Sequence, residues 1–101
     1  MQIVYTRKAK QDLQEIREYY GNHTPARLQN IISDIIGLVE SIPNSLSKGR
    51  TTAHPDVWEK ISPKYGYLLP YYVFQKKVYI LSVYDPRRGG INYKKIVNLE
   101  E

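Results

Sequence analysis

The sequence predicts an α+β domain in which a two-helix antiparallel hairpin packs on a twisted, mainly antiparallel sheet of about four strands, in the order β-α-α-β-β-β. Three observations predict it. Residues 7–42 carry two apolar stripes of helical period, separated by a short Gly/Asn/Thr/Pro break. Residues 57–84 carry three short runs rich in Tyr, Val, Ile and Leu, divided by brief polar turns. A further alternating run, Gln2 to Thr6, precedes the helices.

The opening run QIVYT puts Ile3 and Tyr5 on one pleat face and Val4 on the other, and Thr6 is placed to cap a helix. From Arg7 to Tyr20, Ala9, Leu13, Ile16 and Tyr20 recur at three- and four-residue spacing, with Lys8, Lys10, Asp12, Glu15 and Glu18 off that stripe. Gly21-Asn22 is expected to end this helix. Thr24-Pro25 then marks the start of a second, because proline lacks a donor where a first turn needs none. Leu28, Ile31, Ile32, Ile35, Leu38, Val39 and Ile42 form its broader stripe, which Pro43 stops. The expected connection of about four residues makes the pair antiparallel.

Asn44 to Pro55 reads as a loop. Val57 to Ser62 alternates as a strand, and Tyr67 to Phe74 reads as another in which Pro70 removes a ladder donor, so that this strand is expected to be at an edge or bulged. Gln75-Lys76 joins it as a hairpin to Lys77 to Asp85, apolar on both pleat faces and therefore expected inside the sheet and covered on both sides. Asn92 to Glu101 suits a helical turn or a terminal strand equally.

The chain of 101 residues is sized for one domain, residues 1–101, and its 42% hydrophobic and 25% charged content is that of an ordinary globular protein. No apolar run approaches the roughly 18 to 20 residues that span a bilayer, and the start does not resemble a signal peptide, so a cytoplasmic home without membrane association is expected. With no cysteine and only His23 and His54, neither a disulfide nor a dedicated metal site is expected, and no cofactor. The net charge of +5 favours an anionic partner, nucleic acid or an acidic protein segment.

The chemistry concentrates where the last strand runs into Asp85-Pro86-Arg87-Arg88-Gly89-Gly90. Guanidiniums beside a rigid strand end suit bidentate contact with phosphate, against the plainer reading of a solvated corner. Arg50 and Lys64 are further candidates for contact with phosphate or nucleic acid. His54 and Asp56 in a Pro-bounded loop read first as a surface hydrogen bond and only second as an acid/base pair; Trp58 reads as core or partner-contact surface before base stacking.

Taken together, the segments YTRKAKQDLQEIREYY, IPNSLSKGR, GYLLPYYV and VYILSVYDPRR resemble, in this order and spacing, the RelE/ParE superfamily of bacterial type II toxins, among them the ParE-like plasmid stabilisation toxins. The resemblance covers nearly the whole chain. It implies a toxin neutralised by a cognate antitoxin with an acidic, partly disordered segment, and growth arrest by one of two routes. One branch of the superfamily poisons DNA gyrase; another cleaves ribosome-bound mRNA without a metal. The helical hairpin and the loop before Gly49-Arg50 are more similar to the gyrase branch.

For the cleaving branch, the resemblance carries catalytic roles onto Arg87, Tyr93 and Lys60, with Arg50, Lys64 and Arg88 as further phosphate-binding groups. One departure stands out: where that branch has a Tyr-Arg pair, this chain has Tyr67-Leu68. Phosphodiester cleavage through the 2′-hydroxyl requires a base, an acid and cations for the developing charge, and loss of one preorganised charge donor costs on the order of 100- to 1,000-fold in rate. Arg88, Arg50 or Lys64 would have to compensate. The alternative reading is a catalytically silent module that binds an antitoxin or nucleic acid.

Overall fold

The computed structural model describes residues 2–44 and 49–88. Helices α1 (Arg7–His23) and α2 (Pro25–Ser41) pack on one face of a five-stranded sheet ordered β1-β5-β4-β3-β2, with β1 spanning Gln2–Tyr5, β2 Arg50–Thr51, β3 Trp58–Ile61, β4 Leu68–Phe74 and β5 Lys77–Ile80. Among the described residues the β1–β5 pairing is parallel and the other three are antiparallel. The α+β architecture and element order are as expected.

The strand count is not: β2 lies in the stretch read as loop, and it exists because of Gly49. A Cβ at Gly49 would stand 1.9 Å from the Glu59 carbonyl oxygen, so only bare backbone can lie this close to β3. The Gly49 amide then donates to the Tyr71 phenol at 3.1 Å, and Arg50 pairs with Glu59.

Thr6 caps α1 as predicted, its hydroxyl accepting from the Ala9 amide at 3.3 Å. Gly21-Asn22 does not end that helix, which continues to His23 and leaves Thr24 alone between the two helices. Glycine inside a helix costs only about 1 kcal/mol. Proline, by contrast, bars the preceding residue from helical backbone, and Thr24 accordingly sits at φ −145, ψ 78. Thr24 closes α1 through its amide to Tyr20 O, at 2.7 Å, and opens α2 by accepting from the Leu28 amide at 3.1 Å, without using its hydroxyl as a cap. Pro43 falls in a 3-10 turn, Ile42–Asn44, just past α2.

The core joins Ala9 and Leu13 of α1 and Ile31, Ile35 and Val39 of α2 to Leu69, Tyr71, Val78 and Ile80 of the sheet. Replacing a side chain as buried as Ile35 or Ile80 by alanine costs about 2–5 kcal/mol.

Pro70 determines how the sheet ends. It lies in β4, between β3 and β5, so this is no edge strand. Tyr71 faces Ile80, which sets Pro70 opposite Leu81; the Leu81 amide donates to Pro70 O at 2.9 Å, but proline has no hydrogen to return. The Leu81 carbonyl lies instead 3.2 Å from the Thr6 hydroxyl. Two residues further back along β4, Leu68 faces Tyr84 rather than Val83, so the chain after β5 holds one extra residue there, a β-bulge. The bulge that Pro70 foretold is thus on the facing strand.

The bulge frees an amide, and Asp12 receives it. Its carboxylate accepts from the Val83 amide at 3.0 Å and the Ser82 hydroxyl at 2.5 Å, and pairs with Lys8 one turn earlier. Asp12 is therefore buried on the sheet side of α1, contrary to its expected place off the stripe. Asp34 of α2 does the same for the β3–β4 turn, accepting from the Tyr65 amide at 2.9 Å and from that of Lys64. Each helix is tied to the sheet by one buried carboxylate.

Candidate functional site

Beyond the bulge the chain passes through Tyr84 and Asp85 into a 3-10 turn, Pro86–Arg88. Asp85 organises that turn. Its Oδ1 accepts from the Arg87 amide at 3.0 Å and from Arg87 Nε at 2.8 Å, while Oδ2 accepts from a terminal guanidinium nitrogen at 2.9 Å. The pair is bidentate, and the Asp85 carboxylate raises the Arg87 pKa above its ordinary value. Arg87 is largely exposed, yet the fork that would grip a phosphate already grips a carboxylate.

The other predicted groups are dispersed over the sheet. Arg50 lies opposite Glu59 and donates to it at 2.7 Å. Lys60, one residue along β3, shares a pleat face with Leu69 and is half-buried on the helix side, so Arg50 and Lys60 emerge on opposite faces. Lys64 is exposed in the β3–β4 turn that Asp34 holds. Leu68 stands beside Tyr84. Tyr93 and the side chain of Arg88 lie outside the described residues, as does the segment from Asn92 to Glu101.

His54 and Asp56 form a turn and not a carboxylate-imidazole pair: His54 Nδ1 accepts from the Asp56 amide at 3.2 Å. Trp58 packs half-buried against the core, opposite Tyr71. No group of side chains suited to holding a metal occurs among the described residues, and no helix there is long and apolar enough to cross a membrane.

What the turn does build, with α1, is a cavity of about 380 Å³. Lys8, Asp12, Glu15, Ile16, Tyr19 and Tyr20 line it from the helix, and Tyr67, Val83, Tyr84, Asp85 and Arg87 from the sheet. Burial, and next a hydrogen bond with Tyr20, push the Tyr67 phenol well above the usual tyrosine range. Tyr5, at the other end of α1, is also raised, by burial and then by the nearby Glu40 carboxylate. Sequence reasoning missed this cavity. The signal was present in the paired tyrosines at positions 19 and 20, only one of which a helical stripe can bury.

These features define an α+β domain of two helices on a five-stranded sheet, and the comparisons place it. A model of the family described as ParE toxin of type II toxin-antitoxin system, parDE, matches residues 3–89. The chain belongs to that family and is the toxin component of a type II toxin-antitoxin system. It is also similar to a solved chain of the chromosomal ParDE TA system from P. aeruginosa, at 25% identity and a TM-score of 0.72, over 82% of this chain and 92% of that one. No curated protein matches.

Proposed function

We propose that this toxin arrests growth in the cytoplasm by inhibiting DNA gyrase, and that an antitoxin with an acidic, partly disordered segment keeps it silent. The observation that carries the choice of target is the bidentate engagement of Arg87 by Asp85 beside Leu68. A ribosome-dependent mRNA endonuclease needs free cations converging on one phosphate. Here one arginine is neutralised, a second is replaced by leucine, and Arg50 and Lys60 emerge on opposite faces of the sheet. An inhibitor acting by surface contact has no such requirement.

The antitoxin partner is supported by charge and by exposed apolar area. The sheet face away from the helices carries the Tyr72–Tyr79 pair, stacked at 4.8 Å with planes 7° apart, and Phe74 beyond it is 56% exposed. An extended segment of alternating apolar and acidic residues fits such a surface on a chain of charge +5.

The test is expression of the chain alone, which should arrest growth and be relieved by the product of an adjacent small reading frame. Purified chain should then block gyrase supercoiling and leave ribosome-bound mRNA intact. Codon-specific mRNA cutting that Arg87→Ala and Tyr93→Phe each abolish would overturn the gyrase reading and restore the catalytic roles of Arg87, Tyr93 and Lys60. Arrest with neither activity would identify another target, and unaffected growth would leave the silent interaction module.

A further inference from the structure

The cavity between α1 and the bulged end of β5 is not needed by any step above, and its charge runs against that of the whole chain. Of the charged groups that line it, Lys8 is paired with Asp12 and Arg87 with Asp85. Glu15, exposed on α1, has no ion-pair partner among the described residues and leaves the cavity with one unmatched negative charge.

Its walls are aromatic. Tyr19 lies one helical turn beyond Glu15, and the rings of Tyr19 and Tyr20 meet at 83° with centroids 4.9 Å apart, so that they form a corner. Both rings are braced: Tyr20 is half-buried against the core, and Tyr19 is stacked on His23 at 4.7 Å and 22°. Ile16, on the same helix face, adds apolar surface. A carboxylate beside a rigid corner of phenol rings, with an apolar wall for an aliphatic stem, is the chemistry that recognises an ammonium or guanidinium on a methylene chain.

We propose that this cavity is a cation-recognition pocket that takes the side chain of a lysine or arginine borne by a protein partner, with Glu15, Tyr19 and Tyr20 as the recognising groups. Charge complementarity selects that occupant over an acidic one, and the aromatic corner selects it over a bare metal ion, which would call for several oxygen ligands. The inference does not depend on the gyrase or antitoxin reading, because it concerns one pocket and its ligand chemistry.

The experiment is an aromatic ¹H–¹³C NMR titration of the intact chain with four probes: N-acetyl-arginine methylamide, N-acetyl-lysine methylamide, the norleucine analogue and free arginine. The two capped basic residues should move the Tyr19 and Tyr20 resonances, with saturation in the millimolar range expected of a single side chain. One exposed cation–π contact corresponds to about two- to fivefold in Kd, so Tyr19→Ala should weaken binding by about that factor and Glu15→Gln by a similar one. Both sites are on the helix surface, and an unchanged amide spectrum verifies the fold of each variant. Equal binding of norleucine, unaltered affinity in Glu15→Gln, or no shift of Tyr19 and Tyr20 would overturn the proposal. Tighter binding of free arginine than of its capped form would overturn the protein-borne occupant in favour of a small metabolite. Growth arrest without binding, or binding without arrest, separates this inference from the proposed function.

Discussion

Removing the Asp12 carboxylate tests whether the bulge after β5 is held from α1. In Asp12→Ala the Val83 amide and the Ser82 hydroxyl lose the acceptor that now lies 3.0 Å and 2.5 Å away, in a region where both residues are buried. A buried donor left unsatisfied costs about 1–3 kcal/mol. The hydroxyl can rotate toward another acceptor, whereas the amide cannot, so the amide carries most of the loss. The Lys8 partner is 35% exposed, and its contribution, discounted for solvent, is about 0–1 kcal/mol. The sum is a destabilisation of about 1–4 kcal/mol, a large share of the 5–15 kcal/mol typical of a domain. Urea unfolding followed by far-ultraviolet circular dichroism measures it, and native-state hydrogen exchange at Val83 localises it. Asp12→Asn, which keeps an acceptor of the same shape without the charge, should fall between the two. Should Asp12→Ala prove too unstable to study, the pair Asp12→Asn and Ser82→Ala gives the same information. A midpoint within about 0.5 kcal/mol of the parent, with Val83 protection unchanged, would refute the reasoning.

Two further predictions concern the β4–β5 turn and alkaline pH. Gln75 and Lys76 hold φ of 50° and 62°, the left-handed pair of a type I′ hairpin turn, without the Asn-Gly that relieves it. Substituting Asn-Gly should remove about 1–2 kcal/mol of strain per residue, offset in part by the roughly 0.5–1 kcal/mol of added chain entropy from glycine, and so raise Tm by several degrees; an unchanged or lowered Tm counts against it. Tyr67 and Tyr5 have raised pKa values in the folded state, so the stability they contribute is fully present below the unfolded value near 10 and is lost as pH rises through the folded values. Urea midpoints should therefore be flat toward pH 9 and fall above 10, less steeply in Tyr67→Phe; a midpoint that holds through pH 11 would contradict the assignment.

Much of the fold was legible because periodicity reports burial. The stripes at Ala9, Leu13 and Ile16 and at Ile31, Ile35 and Val39 became the core, and Lys77 to Ile80 became an interior strand, although the described helices cover only the Val78 and Ile80 face and Tyr79 on the other stacks on Tyr72. What periodicity cannot report is pairing at a distance. The two residues of β2 carry no pattern of their own, and Gly49 reads as an ordinary loop glycine until Glu59 is placed against it. Asp12 reads as a charge off the apolar stripe because its partner is the backbone amide of Val83, 71 positions away in sequence, and Asp34 holds the Lys64 amide 30 positions away; no side-chain pattern displays such donors. The dispersal of Arg50, Lys60 and Lys64 has the same origin: a sequence shows that cations exist, and only strand register shows which face each one takes.

Pro70 links that register to the site. An ordinary residue there would return a hydrogen bond to the Leu81 carbonyl, and β5 could continue in register to Val83 opposite Leu68. The missing donor instead leaves that carbonyl beside the Thr6 hydroxyl and admits the extra residue, and the amide so freed gives the buried Asp12 carboxylate its partner. Asp12 in turn fixes the rotation of α1 about its axis, which sets Glu15 one turn later, and Tyr19 a turn beyond that, over the cavity into which Asp85 and Arg87 emerge. A single imino acid in a central strand thereby decides how the helix and the strand end face each other. The arginine most readily taken for a catalytic group is delivered by that geometry to a carboxylate two residues away, and the open charge beside it belongs to the helix.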